Sequence, residues 1–402
     1  EQPFSIYTEI APSPMNAGKH LLHIGIQGYD VEERLPANLV FLIDVSGSMQ
    51  AHNKLPLVKS ALTLLANQLT PEDRIAIVTY AGDAKVALKS TRGDRRSRIV
   101  RAIERLSARG STNGESGLKL AYSLAESSYR EAGINRVLLA TDGDFNVGAY
   151  SVNEMLEMIR SKRESGIALT TPGFGMLNYN DMMLERLADE GNGNHAYIDT
   201  LHEARRVLIE RGNSTLQTIA ADVKVQIEFN PAHVLEYRLI GYENRRLRRE
   251  DFNNDRVDAG EVGAGHSVTA LYEVALVSSD AADIDPLRYG AASPAEVESS
   301  HAELAFVKVR YKQPGARQSR LLTLPVDKGA PLETFALASP ALRKSAAVAG
   351  YGELLRGGAN VDLTWEQLVP LAQSAVCARA EELEFVNLVL LAREISRALA
   401  HR

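Results

Sequence analysis

The stretch "NLVFLIDVSGSMQ", residues 38 to 50, changes character halfway. After Asn38 its residues 39–43 are continuously apolar, as expected of a strand covered on both faces. A carboxylate, two hydroxyls and a glycine follow: Asp44, Ser46, Ser48 and Gly47. Asp and Ser in such a place can simply cap the next helix. The alternation allows a second reading. Alternate residues of an extended turn point the same way, so Asp44, Ser46 and Ser48 can present oxygens to one point, with Gly47 letting the backbone bend.

Downstream, "KLPLVKSALTLLANQL" (54–69) sets Leu55, Val58, Leu62, Leu65 and Leu69 at steps of three and four, one helical face. Strand-like "RIAIVTY" (74–80), "NRVLLAT" (135–141), "IALTT" (167–171) and "HAYI" (195–198) then alternate with helical segments at 96–106, 116–130, 152–165, 181–189 and 201–212. Such alternation implies an α/β, doubly wound, mainly parallel sheet with helices on both faces. "AKVAL" (84–88) follows its neighbour too closely for a helical crossover and is expected antiparallel, at the sheet edge.

Outside this region the pattern has a period of two. "FSIYTEI" (4–10), "HLLHIGIQG" (20–28), "DVKVQIEF" (222–229), "EYRLIGYE" (236–243), "SVTALYEVAL" (267–276), "AELAFVKVRYK" (302–312) and "SRLLTLPV" (319–326) alternate apolar and polar residues, as in an antiparallel β-sandwich. The expected organisation is N-terminal sandwich strands at 1–37, the α/β domain at 38–215 inserted in that sandwich, the rest of the sandwich at 216–330, and a helical region at 331–402. Within that last region, Thr364 and Gln367 fit a capping box.

With 402 residues the chain has room for two or three domains. Hydrophobic residues at 45% and charged residues at 24% indicate a globular protein. The net charge of −6 argues against nucleic acid as a partner. No apolar run approaches the roughly 18 residues of a transmembrane helix. The lone Cys377 excludes an intrachain disulfide and is expected in core packing. The chain opens Glu1-Gln2-Pro3 without an initiator Met, so residues upstream are expected to have been removed.

Ligands of open α/β sheets bind outside the carboxyl ends of the strands. Asp44 closes one strand and Asp142, in "LLATDGDFN" (138–146), closes another. Between them "ARGSTNGES" (108–116) offers Ser111 and Thr112. If these ends converge, they gather Asp44, Ser46, Ser48, Thr112 and Asp142, all oxygen donors. Such a set suits Mg²⁺, which takes about six oxygens near 2.1 Å and keeps several waters; Mn²⁺ or Ca²⁺ would also fit. With two carboxylates and neutral hydroxyls, the cation keeps positive character, and an Asp or Glu of a partner protein could fill an exposed position.

At these residues the sequence resembles the von Willebrand factor A family. Asp44-Val45-Ser46-Gly47-Ser48 matches the first motif of its metal-ion-dependent adhesion site, Thr112 its threonine, and Asp142 its second aspartate. The resemblance spans about 38–215; Thr170-Thr171-Pro172 stands where the family's strands are usually apolar. It implies metal-dependent binding to proteins rather than catalysis. It also implies that rearrangement at the metal can couple to the last helix, here near 201–212. The whole chain is similar to bacterial envelope proteins with a trailing domain of unassigned function, which implies export, periplasmic or as a lipoprotein.

Two rival functions use the same oxygens: a metal-dependent phosphoester hydrolase, and an envelope scaffold with a purely structural ion. The first lacks a second acidic cluster and a placed general base. Elsewhere, "EDFNNDRVDAGE" (250–261) has the D-x-N-x-D spacing of a calcium loop, but carries Arg256 where the turn needs Gly and Val262 where Glu is needed, so a solvated loop is expected. Asp144 and Asn146 read as turn residues, "ENRRLRRED" (243–251) as a solvated basic cluster, and His52 as a surface residue.

Overall fold

The computed structural model describes residues 2–31, 34–110, 114–143, 152–175, 181–210, 212, 217–242, 246–255, 257, 259–277, 279, 281–282, 303–316, 318–327, 332–376 and 380–400. Two compact units emerge. One comprises Gly28–Ala221 with Ala259–His266; the other comprises Glu1–Gln27, Asp222–Asp258 and Ser267–Arg402.

The first unit is built on β3 (Ala37–Asp44), whose eight residues are all buried. It lies between β4 (Arg74–Tyr80) and β6 (Ile134–Ala140), parallel to both. The six-stranded sheet runs β5-β4-β3-β6-β7-β8, with β5 at Ala84–Arg92, β7 at Ala168–Phe174 and β8 at His195–Ile198. Alternation along β3 feeds two cores. Leu39, Phe41 and Ile43 pack with α1 (Leu55–Ala66), α2 (Arg96–Glu104) and α6 (Leu201–Arg205). Val40 and Leu42 face α3 (Gly114–Ser127), α4 (Val152–Glu164) and α5 (Asp181–Glu190). Each such side chain contributes about 1.5–3 kcal/mol of burial, which is why the run is uninterruptedly apolar. Gly117 marks the close approach of α3: a Cβ there would lie 2.9 Å from both Leu42 Cδ1 and Tyr80 Cβ.

β5 is antiparallel to β4 and at the edge, as expected, but continues four residues beyond Leu88, with two register shifts. β7 runs straight through Thr170-Thr171-Pro172. The polar residues are tolerated because they are bonded: the Thr170 hydroxyl accepts from Arg136 at 2.6 Å, and Thr171 Oγ1 donates to the Leu184 carbonyl at 2.9 Å. Pro172 falls two residues past Thr170, where the continuous pairing of β7 with β6 ends. The helix expected at 201–212 is instead α6 followed by a π-helical turn, Arg206–Glu210.

In the second unit, β2 (His20–Gly28), β12 (Ser267–Leu276) and β10 (Val234–Ile240) join β1 (Phe4–Pro12) in the order β1-β2-β12-β10. β12 runs antiparallel to both its neighbours. β9 (Thr218–Phe229), β13 (Glu303–Lys312) and β14 (Arg320–Asp327) form the second sheet of this unit, β13 and β14 antiparallel. Rings cross between the two layers: Phe4 meets Tyr311 at 5.0 Å and Phe229 meets Tyr272 at 5.4 Å. A short strand that sequence reading did not resolve, β11 (Gly260–Gly263), flanks the start of β9 in the first unit.

The helical tail forms α7 (Pro340–Leu355), α8 (Trp365–Ser374) and α9 (Ala380–Ala400). Leu342, Ala346, Leu368 and Val389 bury themselves against Leu21, Ile240 and Leu271 of the first sheet. The Thr364–Gln367 capping box is formed. Among the described residues, no helix is long and apolar enough to cross a membrane. Cys377 lies outside the described residues.

Candidate metal centre

Asp44 is the last residue of β3, and the register pairs Ile43 with Ala140, so Thr141 and Asp142 emerge beside it from the neighbouring strand. The two acids and Thr141 are buried, Asp44 fully. Past Asp44 the chain folds back on its own carboxylate: the Ser46 amide donates to Asp44 Oδ1 at 2.8 Å. Ser46 and Ser48 share a hydroxyl–hydroxyl bond of 3.0 Å, so both oxygens do lie on one side of the turn. Ser46 is buried and Ser48 exposed, so the cluster opens outward through Ser48.

Gly47 does not adopt the left-handed backbone that only glycine favours. Its amide instead donates to the Gly110 carbonyl at 3.1 Å, while Arg109 N–H donates to the Val45 carbonyl at 2.6 Å. These two bonds pin the segment leading to Ser111 and Thr112 against the Asp44 turn. Thr112 and Ser111 themselves, with Asp144 and Asn146, lie outside the described residues.

Two neighbours escaped the sequence reading. Lys54 Nζ bonds Asp142 Oδ2 at 2.8 Å, both side chains largely buried. Thr141 Oγ1 reaches Asp44 Oδ2 at 3.5 Å and accepts from the Gly143 amide at 3.2 Å. Thr141 was detectable as the residue next to Asp142. Lys54 was not, because nothing local ties the start of one helix to the end of a strand far along the chain.

The electrostatics follow from burial. Loss of water pushes the Asp44 carboxyl up to about 6; hydrogen bonds from Ser46 oppose this, and the nearby charge of Asp142 adds to it. Tyr80, buried beneath, is pushed well above its ordinary value by the same burial and by Asp44. Among the described residues the centre thus sets two buried carboxylates, Asp44 and Asp142, beside one largely buried ammonium, Lys54. Its donors are two carboxylates and two hydroxyls, a hard-oxygen set, and they fit a hard divalent cation. Among the described residues no group of three His, Cys, Asp or Glu forms another candidate.

The remaining candidates resolve differently. The loop that mimics calcium-binding spacing leaves Glu250, Asn253 and Asn254 exposed, as expected, and is clamped from within by lysines: buried Lys224 donates to the carbonyls of Asp251 and Asn254 at 3.2 and 2.5 Å, and Lys312 to that of Asp255 at 2.9 Å. Ammonium groups thus lie against the loop backbone, and the Asp255 carboxylate that a calcium ion would need is bonded to Arg310 and Ser319; Arg256 lies outside the described residues. Of the basic cluster at 243–251, Arg246, Arg248 and Arg249 are exposed, as is His52; residues 243–245 lie outside the described set.

The geometry agrees with what the chain is similar to. The family described as von Willebrand factor type A domain matches residues 38–208, and the one described as "Uncharacterized protein YfbK, C-terminal" matches residues 214–395. "Uncharacterized protein YfbK" of Escherichia coli (strain K12) is 47% identical over 395 residues, covering 97% of this chain and 68% of that protein. The chain belongs to the YfbK family. It therefore carries a von Willebrand factor type A domain followed by the YfbK C-terminal domain. Human inter-alpha-trypsin inhibitor heavy chain H3 is 27% identical over 265 residues, 60% of this chain and 28% of that one. Among solved structures, a von Willebrand factor type A protein from Catenulispora acidiphila overlays with a TM-score of 0.49 at 15% identity, covering 93% of this chain and 87% of that one. Domains of this type often mediate protein interaction and adhesion, and typically bind a divalent metal.

Proposed function

We propose that this chain is a divalent-cation-dependent protein-binding module, and that a carboxylate of the partner completes the cation's shell. The observation that carries the reading is the convergence of Asp44, Ser46, Ser48 and Asp142 at the ends of adjacent strands, with two buried carboxylates set beside the ammonium of Lys54 among the described residues. Asp44, Ser46, Ser48, Thr112 and Asp142 would hold Mg²⁺, directly or through water, and Mn²⁺ or Ca²⁺ in its place. A bound cation supplies a positive centre at which an Asp or Glu oxygen from another protein can dock. Thr141 orients Asp44, and Lys54 balances Asp142 until the cation does.

No reaction is proposed. The described neighbours of the two aspartates are hydroxyls, a phenol and an ammonium already paired to Asp142, none of them a general base poised over an open position. An extracytoplasmic place in a bacterial envelope belongs to the same proposal and rests on the resemblance alone.

Calorimetric titration tests the metal. Mg²⁺ or Mn²⁺ should bind one site in the wild type, and Asp44→Ala should abolish the heat while leaving the circular dichroism unchanged. Capture from envelope extract, compared in Mg²⁺ and in EDTA, tests the partner. Retention of the same protein by Asp44→Ala in EDTA would refute the metal-dependent reading.

A further inference from the structure

Between residues 85 and 109 the chain carries nine Lys or Arg against two acids, Asp94 and Glu104, although its net charge is −6. The fold gathers most of that excess around one groove of about 1030 Å³, between the edge strand β5 and α2. Lys85, Lys89, Arg98, Arg101, Arg105 and Arg109 line it, and Asp83 is the one acid among the described lining residues. All six cations are exposed. Arg92 and Arg95, just outside, are paired to Asp94, whereas none of the six forms a salt bridge with a described residue.

That arrangement is costly by itself. Arg98 and Arg101 are three apart on α2 and Arg105 lies four further on, so like charges stack on one helical face and destabilise it. Ordinary solvated faces intersperse both signs. A concave, one-signed surface instead concentrates an anionic partner and speeds its capture. The floor is apolar: Val45, Leu88, Ala102 and Leu106 lie between the cations. Among the described residues no aromatic side chain lines the groove to act as a platform for stacking bases. Lysines and register shifts on β5 guard its open edge against an apolar strand but suit an acidic one.

We infer that the groove between β5 and α2 binds a partner's acidic polypeptide segment, one that alternates Asp or Glu with small apolar residues. The cations hold its carboxylates and the floor takes its apolar side chains. β5 has nine residues, enough to match an extended segment of roughly 30 Å at about 3.3 Å per residue. Val45 and Arg109, both lining the groove, are joined by the backbone bond that ties the Asp44 turn to the segment before Gly110. A segment lying in it is therefore led toward the oxygen cluster, but its binding in the groove needs no cation.

Fluorescence anisotropy on the full chain tests this with a labelled peptide of about ten residues alternating Glu with Leu and Ala, matched in length to the groove. The same peptide with Gln for Glu, and an oligothymidylate of similar length, serve as comparisons. The Glu peptide should bind saturably, weaken steeply with added salt, and bind equally in Mg²⁺ and in EDTA; the Gln peptide should not bind. Combined Arg98→Glu, Arg101→Glu and Arg105→Glu changes leave the buried Ile99 and Ile103 in place and should weaken binding by about tenfold or more. Lys85→Gln with Lys89→Gln should weaken it by less, and serves if the helix variant melts early. Equal binding by the variants, binding abolished by EDTA, or tighter binding of oligothymidylate than of peptide would overturn the inference. Failure of cation binding at Asp44 in the calorimetric test leaves this result untouched.

Discussion

Lys54 and Asp142 form the pair on which the candidate centre balances. Breaking a buried pair from one side costs about 3–5 kcal/mol, because a charge is left uncompensated. Lys54→Met should therefore lower the melting temperature in EDTA, and Mg²⁺ should restore much of the loss, since the cation can take over the charge of the ammonium. A variant melting alike in EDTA and Mg²⁺ would contradict this. At His23 the argument runs through pH. Its ring is buried on β2, 3.1 Å from Ser345 Oγ. Burial lowers its pKa below the ordinary value, and the charge of Glu9 only partly opposes this. Below the unfolded value of about 6.5 the unfolded chain binds more protons than the folded one. Stability contributed by the neutral ring is thus present above that value and lost as pH falls toward the folded pKa. His23→Asn should flatten the decline in urea midpoint of its unit between about pH 7 and pH 5; an unchanged slope would assign the decline to other groups.

Among the elements, α3 shows how a helix position is set by one absent side chain. The 2.9 Å approach of a would-be Gly117 Cβ to Leu42 and Tyr80 means that a branched side chain must push the helix off the sheet. Overpacking of this kind typically costs about 1–3 kcal/mol. Gly117→Val should therefore lower the urea midpoint and, because Tyr80 adjoins Asp44, also weaken Mg²⁺ binding. At α8 the effect is local: Thr364 accepts from the Gln367 amide at 3.3 Å, and Gln367 returns a bond to Thr364 N–H at 2.8 Å. Thr364→Ala should cost about 1 kcal/mol with no change in metal binding. The helical periodicity of α1 through α5, the strand β3 and the capping box were all legible in the sequence, because each depends on neighbours within a few positions. The register shifts of β5 and the passage of β7 through Thr170-Thr171-Pro172 were not. There the partners that accept a polar or irregular residue, such as Arg136 and the Leu184 carbonyl, come from other elements.

For the molecule as a whole, two units with separate cores predict two melting transitions. A ligand that binds only the folded state stabilises it by about 2.7 kcal/mol at a hundred times its dissociation constant. Mg²⁺ should raise the transition of the unit containing Asp44 and leave the other in place; calorimetric scans in Mg²⁺ and in EDTA would reveal a shift of both or of neither. Asp44, Ser46, Ser48 and Asp142 could be singled out from the order of residues alone, since apolar runs ending in oxygen-bearing turns announce strand ends of an α/β sheet. Short-range periodicity carries that much, because it records which faces must leave water. The ammonium set against Asp142, the lysines filling the false calcium loop and the cations ringing one groove came only with folding. Charge interactions act across space and ignore sequence distance, so their partners are chosen by packing and cannot be read from spacing.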